Sequence, residues 1–466
     1  MTPQTAILTS LPQEHVLLLA VIDRLLEAGV DFQGFAENAV PQKFSPELLN
    51  SQVLFIDRGA LNAMTAEEKK LLEEFSRTRI VSCFDYTGNA DDRTLANFYA
   101  EITVNGALAE AGIVPGNVPA QDPELMCRFA KERAAAYLQT PRLQFSEFTL
   151  HHLRAIAPDQ QVLREILPGL LDSQDPEAVP PHHDALGAWS YAPLCAKLTG
   201  DDKYNKKFLR VLEKTMAARE WSNGGIMGAT GNVADRLNLN GEFPLYSAYC
   251  VRKKEVIYNE MFHFHGPIFA AAVLASGDIS YLEHAMRLLR HLRQYNVDPA
   301  DGLPCHYSNG TLRGGMKWSR GIAHILHGIT LMFEVWPDLP EAEARELLSF
   351  ADSIGEGLLR TQDASGLWHN VADEEKTPLE SSATMAFLST YQLLVNEGLL
   401  PEKKYSEMLS RARKGFLRRC YRGGFAGNCA GTGLSVTQDY YFRRPFNFLF
   451  TGQIVSALDE NVKFMR

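Results

Sequence analysis

The chain has 466 residues, a formal net charge of -10, and 45% hydrophobic against 22% charged residues. This is an ordinary globular composition, long enough for two or three domains or one large repeat-built unit with a smaller one attached. The acidic balance argues against nucleic acid as a partner, and no apolar run approaches the ~20 residues of a membrane span.

The seven cysteines, Cys83, Cys127, Cys195, Cys250, Cys305, Cys420 and Cys429, are odd in number, scattered and free of any CxxC. That pattern fits free thiols in a reducing compartment. The first residues lack a basic segment followed by an apolar core. The chain therefore reads as cytoplasmic, or periplasmic if a leader has been removed.

Residues 1–115 alternate short β-rich runs with amphipathic stretches. Ala6-Ile-Leu-Thr reads as a strand, followed by a helix near His15 to Ala28. Val53-Leu-Phe-Ile-Asp57 reads as a buried strand ending in an acid. Thr65-Ala-Glu-Glu68 carries capping-box chemistry and opens a helix to about Arg77. Arg79–Phe84 reads as a third strand and Glu101-Ile-Thr-Val104 as a fourth. Such alternation predicts a parallel sheet with helices on both faces. This part is similar to the flavodoxin-like and amidotransferase-like α/β domains, and to the trimerisation domain of β-galactosidases. It shows no nucleophile-elbow Cys or Ser, so an accessory or oligomerising domain is expected, and with it a homo-oligomer. Gly112-Ile-Val-Pro-Gly-Asn-Val-Pro-Ala-Gln-Asp-Pro123 holds the predicted linker, residues 116–122.

From residue 123 to 466 the pattern is almost purely helical. Helices are predicted near 123–139, 145–157, 160–172, 186–199, 203–219, 244–257, 259–276, 279–295, 319–335, 341–361, 380–397, 402–418 and 446–462. Leu198-Thr-Gly-Asp-Asp-Lys-Tyr204 and Ala275-Ser-Gly-Asp-Ile-Ser-Tyr281 repeat one punctuation. Gly takes the left-handed position that ends a helix, and Asp caps the next. Stacked helical hairpins follow. A dozen such helices fit an all-α (α/α)6 six-hairpin toroid, with an open solenoid as the structural alternative.

Four segments concentrate ionisable and aromatic residues. Pro181-His-His-Asp184-Ala-Leu-Gly-Ala-Trp189 offers Asp184 as a helix cap or a second active-site carboxylate, and Trp189 as a sugar-stacking ring. Tyr258-Asn-Glu260-Met-Phe-His263-Phe-His265-Gly-Pro267 opens a long apolar helix with a carboxylate. Glu260 and His263 share a helix face. Gly302-Leu-Pro-Cys-His306 and Gly314-Gly-Met-Lys-Trp318-Ser-Arg320-Gly-Ile-Ala-His324 read as an anion-binding mouth. There an Arg grips a carboxylate and a Trp stacks on a sugar face. Gly427–Gly433, followed by Asp439-Tyr-Tyr441-Phe-Arg443-Arg444, adds hydroxyls and two cations. Neither HExxH nor a Cys-rich pattern is present, and no GxGxxG or P-loop follows a strand, so neither metal nor nucleotide cofactor is expected.

Residues 123–462 resemble glycoside hydrolase family 105, the unsaturated rhamnogalacturonyl hydrolases, and more distantly family 88. Glu260 with Pro267-Ile-Phe stands where the family has an Asp seven residues before Pro-Phe-Leu. His306 and Trp318-Ser-Arg320-Gly321 match its His loop and Trp-x-Arg-Gly helix start. Gly366-Leu-Trp-His369 with Glu380-Ser-Ser-Ala-Thr384, and Gly431-Thr-Gly433 with Tyr440-Tyr441, match two later stretches. The chain departs from the family in its Glu, in Ile322-Ala-His324 after the Arg, in Asn309 where the loop has Asp, and in its N-terminal domain. The resemblance implies a six-hairpin toroid that removes a terminal uronic acid, glucuronic or Δ4,5-unsaturated, from an oligosaccharide. Glu260 is the implied general acid, with Asp184 and then Glu380 as candidates for a second carboxylate. Glu380 has the alternative of orienting the backbone of Ser381–Thr384. Arg320, His306 and Arg443 or Arg444 are expected on the uronate carboxylate, and Trp189, Trp318 and Tyr441 on the sugar face. A sugar epimerase on the same scaffold, with His263, His306 and His324 as acid and base, and a non-catalytic carbohydrate-binding protein stay open.

Overall fold

The computed structural model of the chain describes residues 5–11, 15–28, 30, 32–33, 44–84, 93–113, 123–124, 127, 131, 160–178, 186–219, 221–222, 224–227, 257–308, 313–314, 316–377, 379–419 and 457–464. They fall into two compact units, one built on Met1–Met126 and the other on Cys127–Arg413.

The first unit is a four-stranded parallel sheet in the order β2-β1-β3-β4, with β1 Thr5–Leu8, β2 Phe32–Gln33, β3 Val53–Asp57 and β4 Ile80–Phe84. Alternate strand residues enter two cores, as the period-2 geometry of a strand requires. Ile7, Val53 and Phe55 meet the apolar faces of α1 (Val16–Glu27) and of a later helix. Ala6, Leu8, Leu54 and Ile56 meet Leu72 and Phe75 on the opposite side. Asp57 ends β3 and caps α2 (Arg58–Ala63), and Thr65 and Glu68 form the predicted capping box of α3 (Ala66–Ser76). The expected strand at Glu101–Val104 is instead part of α4 (Arg93–Glu110). The β-branched residues there mislead: buried Ala96, Ala100, Val104, Ala107 and Leu108 recur at helical spacing and pack on α1.

The second unit is helical: α5 Gln160–Asp172, α6 Ala192–Thr199, α7 Lys203–Ala218, α8 Glu260–Ser276, α9 Ser280–His291, α10 Ser319–Val335, α11 Glu341–Thr361, α12 Ser381–Asn396 and, as far as Arg413, α13 Glu402–Arg419. The spans predicted at 319–335 and 341–361 coincide with α10 and α11. Those predicted at 123–139, 145–157, 244–257 and 446–462 lie largely outside the described residues, although Ile257 is in a strand and residues 459–464 are not helical. Gly200 and Gly277 end α6 and α8 at φ 72° and 76°. The Asp after each accepts the backbone N–H two residues on, at 2.9 Å, so it turns the chain rather than capping the helix directly.

α8 is buried on every side from Glu260 to Val273, the mark of a central helix. It packs on α10, α9 and α7. A Cβ on Gly328 of α10 would sit 2.6 Å from the Phe262 carbonyl oxygen, so this crossing requires a residue without a side chain. Short strands link the helix ends. β5 (Ile257–Tyr258), β6 (Tyr307–Ser308) and β7 (Arg313–Gly314) form one antiparallel set, and β8 (Trp368–His369) and β9 (Leu379–Glu380) another. Among the described residues no helix is long and apolar enough to cross a membrane.

Candidate active site

Glu260 is the first residue of α8 and is 9% exposed. Pairing of Tyr258 with Tyr307 brings β6 alongside, so His306 arrives next to the acid despite lying 46 positions further along the chain. His306 is fully buried, and its Nε2 lies 2.9 Å and 3.0 Å from the two Glu260 oxygens. An ionised Glu260 only accepts, so Nε2 then carries the hydrogen and donates to both oxygens; a protonated Glu260 donates its own O–H to a bare Nε2. Backbone bonds hold the imidazole in place: Asn259 N–H donates to the His306 carbonyl, and His306 N–H to that of Met316, both at 3.0 Å.

Trp318 precedes α10 and is clamped by two bonds to one residue. Its Nε1 donates to Asn370 Oδ1 at 3.1 Å, and Ser319 N–H donates to the Asn370 carbonyl at 2.9 Å. Its ring lies 4.7 Å from that of His306, and the Arg320 guanidinium stands 5.0 Å over it. Cation, indole, imidazole and carboxylate thus form one continuous line of contacts, with the two rings tilted at 48° to each other. A cation over an indole face gains attraction from the ring quadrupole, more so away from water, and Arg320 is 7% exposed. The segment just before is held by Lys317, whose ammonium bridges Asp298 (3.1 Å), Asp373 (2.8 Å) and Asp301. Burial pulls the Lys317 pKa down, but its bonds to Asp301, Asp373 and Asp298 outweigh that and hold it above the ordinary lysine range.

One turn along α8, His263 meets two histidines of α10. Its Nδ1 is 2.9 Å from His327 Nδ1 and 3.5 Å from His324 Nδ1. Two facing ring nitrogens bond only when one carries a proton and the other does not. His327 was not singled out in the sequence; its signal is the spacing His324-x-x-His327, which puts both on one helix face. Among the described residues no group of three or more His, Cys, Asp or Glu is arranged to hold a metal. Burial pushes the Cys305 thiol, next to His306, up to about 11, so it stays protonated and is no nucleophile at neutral pH.

The structure brings together Glu260, His306, Trp318 and Arg320, with His263 and His324 beside each other. His306, expected on the substrate carboxylate, bonds the acid instead. Trp318, expected on the sugar face, is 1% exposed and carries Arg320. Trp189 is also 1% exposed. Glu380 is fully buried at the start of α12, where its side chain accepts the N–H groups of Ser382 and Ala383 and the Ser382 hydroxyl. This is the backbone-orienting alternative read from the sequence. Asp184, Tyr441, Arg443 and Arg444 lie outside the described residues.

No curated protein matches the chain in sequence. The family profile described as Glycosyl Hydrolase Family 88 matches residues 262–454. Among solved structures, a possible member of family GH105 from Klebsiella pneumoniae is similar at a TM-score of 0.57 and 18% identity, covering 72% of this chain and 91% of that one. A family 88 glycosyl hydrolase from Bacteroides vulgatus gives 0.52 and 15%, with 72% and 97% covered. An unsaturated glucuronyl hydrolase specific for heparin gives 0.51 and 14%, with 73% and 96% covered. At such identities the structural likeness speaks for a shared fold.

Proposed function

We propose, from the premise that this chain is a divergent glycoside hydrolase of the family 88 and 105 type, that it removes a terminal uronic acid from oligosaccharides. The helical unit is read as an (α/α)6 toroid of six hairpins. Residues 1–115 are read as an accessory or oligomerising domain and 116–122 as the linker. One observation carries the reading: a buried Glu260, hydrogen-bonded to His306, is linked through the Trp318 ring to the guanidinium of Arg320. A proton donor and a cation on one buried line of contacts suit an anionic sugar.

In the unsaturated version Glu260 delivers a proton to C4 of the C4=C5 bond, and water adds at C5. The resulting hemiketal opens and expels the aglycone. In the saturated version Glu260 protonates the glycosidic oxygen, and a second carboxylate must activate water or attack the anomeric carbon. The capping bonds of Glu380 favour the first version, which needs one carboxylate alone. Asp184 remains the candidate for the second. Arg320 is the proposed partner of the uronate carboxylate, matching its two oxygens with a planar fork.

Matched saturated and Δ4,5-unsaturated glucuronides test this. Loss of the double-bond absorbance is the expected result. Release of saturated glucuronic acid would assign the other version, and turnover of neither would overturn the uronidase reading.

The contact of His263 with His324 and His327 favours one second reading. Neighbouring imidazoles in different protonation states suit an epimerase that removes and returns a proton on opposite faces of a sugar. Deuterium incorporation from heavy water into a free sugar, without bond cleavage, would favour it over hydrolysis.

A further inference from the structure

A chain of four polar side chains runs behind the Glu260–His306 pair. His291 closes α9, and a π-helical turn over Leu292–Asn296 follows. Such turns shift the helical register and are frequent at functional sites. Here the turn carries Asn296 to a fully buried position. Asn296 Nδ2 lies 3.4 Å from the Ile257 carbonyl oxygen and 3.0 Å from Asn259 Oδ1. Its Oδ1 is 2.6 Å from the Ser308 hydroxyl, which is 3.0 Å from His291 Nε2.

The polarity of the chain follows from donor counting. A carbonyl only accepts, so the Asn296 amide nitrogen faces Ile257 and its oxygen faces Ser308. Ser308 has one hydrogen, which goes to Asn296. His291 Nε2 therefore carries a hydrogen and donates to Ser308. Burial pushes the His291 pKa down to about 4, which keeps the ring neutral near pH 7. Asn259 Oδ1 is fixed as an acceptor by Asn296, so the Asn259 amide nitrogen turns the other way, towards Gly321. A Cβ on Gly321 would lie 3.6 Å from that nitrogen and 3.5 Å from His306 Cδ2.

Asn259 is the joint between the members of the pair. It is covalently next to Glu260, and its backbone N–H donates to the His306 carbonyl at 3.0 Å. Any rotation of Asn259 moves the carboxylate against the imidazole. We propose that Asn296 is a positioning residue for the Glu260–His306 pair, acting through Asn259, with Ser308 and His291 fixing the orientation of its amide. The inference rests on the reading of Glu260 as the acid, but two of its readouts need no substrate.

Nitrogen NMR of the intact protein reads the His291 tautomer. Hydrogen on Nε2 is expected, and a neutral ring with hydrogen on Nδ1 overturns the polarity and with it the proposal. Ser308→Ala removes the donor to Asn296, and Ser308→Thr keeps it. The His306 ring resonances should move in Ser308→Ala and return in Ser308→Thr; unchanged resonances in Ser308→Ala overturn the mechanical link. On a uronide that the wild type cleaves, Ser308→Ala and Asn296→Asp should lower kcat roughly ten- to a hundredfold. KM should hold, the pH profile of kcat/KM should shift, and Ser308→Thr should restore both. Wild-type kcat and pH profile in a folded Ser308→Ala overturn the positioning role. If the wild type cleaves no uronide, the functional reading fails, while the two NMR readouts still decide this one.

Discussion

Glu260 and Glu380 occupy closely matched places. One residue separates Glu260 from a two-residue strand, and Glu380 is the last residue of another; each stands at the start of a long helix and is buried. Glu380 folds back, and its carboxylate accepts the N–H groups at the head of its own helix. Glu260 turns away, no side chain caps its helix, and its carboxylate meets the imidazole of the residue just before β6. Position at a helix start therefore does not separate a structural acid from a chemical one; the partner of the carboxylate does. The first arrangement satisfies backbone donors that would otherwise be stranded. The second leaves them to other partners and spends the carboxylate on a group that exchanges protons.

The contrast breaks most sharply at Glu260. Glu260→Gln keeps the shape and an acceptor for His306 but removes the transferable proton. We expect kcat on a cleavable uronide to fall roughly 10²–10⁴-fold, the usual weight of a positioned acid, with the thermal midpoint little changed. Wild-type turnover in that variant would end the assignment.

The Glu260 side also carries a titrating prop. The folded pKa of His291 is about 4, below its ordinary 6.5, so the folded state binds fewer protons than the unfolded one. Its contribution is fully present above pH 6.5 and is lost as pH falls through about 4. Roughly 2–3 kcal/mol should disappear across that window, allowing for partial exposure. Denaturant titrations at several pH values read the slope, which His291→Gln should flatten.

Glu380→Ala should do the reverse of Glu260→Gln. Loss of the cap strands buried N–H groups and costs about 1–3 kcal/mol of stability. Below its lowered melting point the variant should keep wild-type kcat. A large loss of kcat in the folded variant would instead move Glu380 into the chemistry.

Arg320→Lys is the finest probe. A lysine keeps the charge but loses the planar fork and part of the stack on Trp318. KM for an anionic substrate should rise about tenfold, equal to roughly 1.4 kcal/mol. A neutral glycoside of the same aglycone should show no such change.

Much of the scaffold was legible because it is periodic. α10 and α11 carry sustained apolar stripes, and their predicted ends coincide with the observed ones. The strand misread at Glu101–Val104 shows the limit: four residues are too few to tell a β-branched helix turn from a strand. In the site, the sequence singled out Glu260, His306, Trp318 and Arg320 as residue types suited to an anionic sugar. Which of them touch could not be read, because the Glu260–His306 contact depends on the register of β5 against β6. Asn259, Asn296 and Ser308 gave no signal at all. Short polar residues are common in loops, and only a buried network makes them distinctive.

The crossing at Gly328 has a consequence for how such a protein diverges. The gap between the helix bearing the acid and the helix bearing the cation is set by main-chain contact, because any side chain at Gly328 would strike the Phe262 carbonyl. Side chains at neighbouring positions can then be exchanged over evolutionary time without changing that gap. A frame whose spacing is defined by a missing atom tolerates new reagents mounted on it, and a longer acid or an added imidazole becomes a local edit, not a redesign.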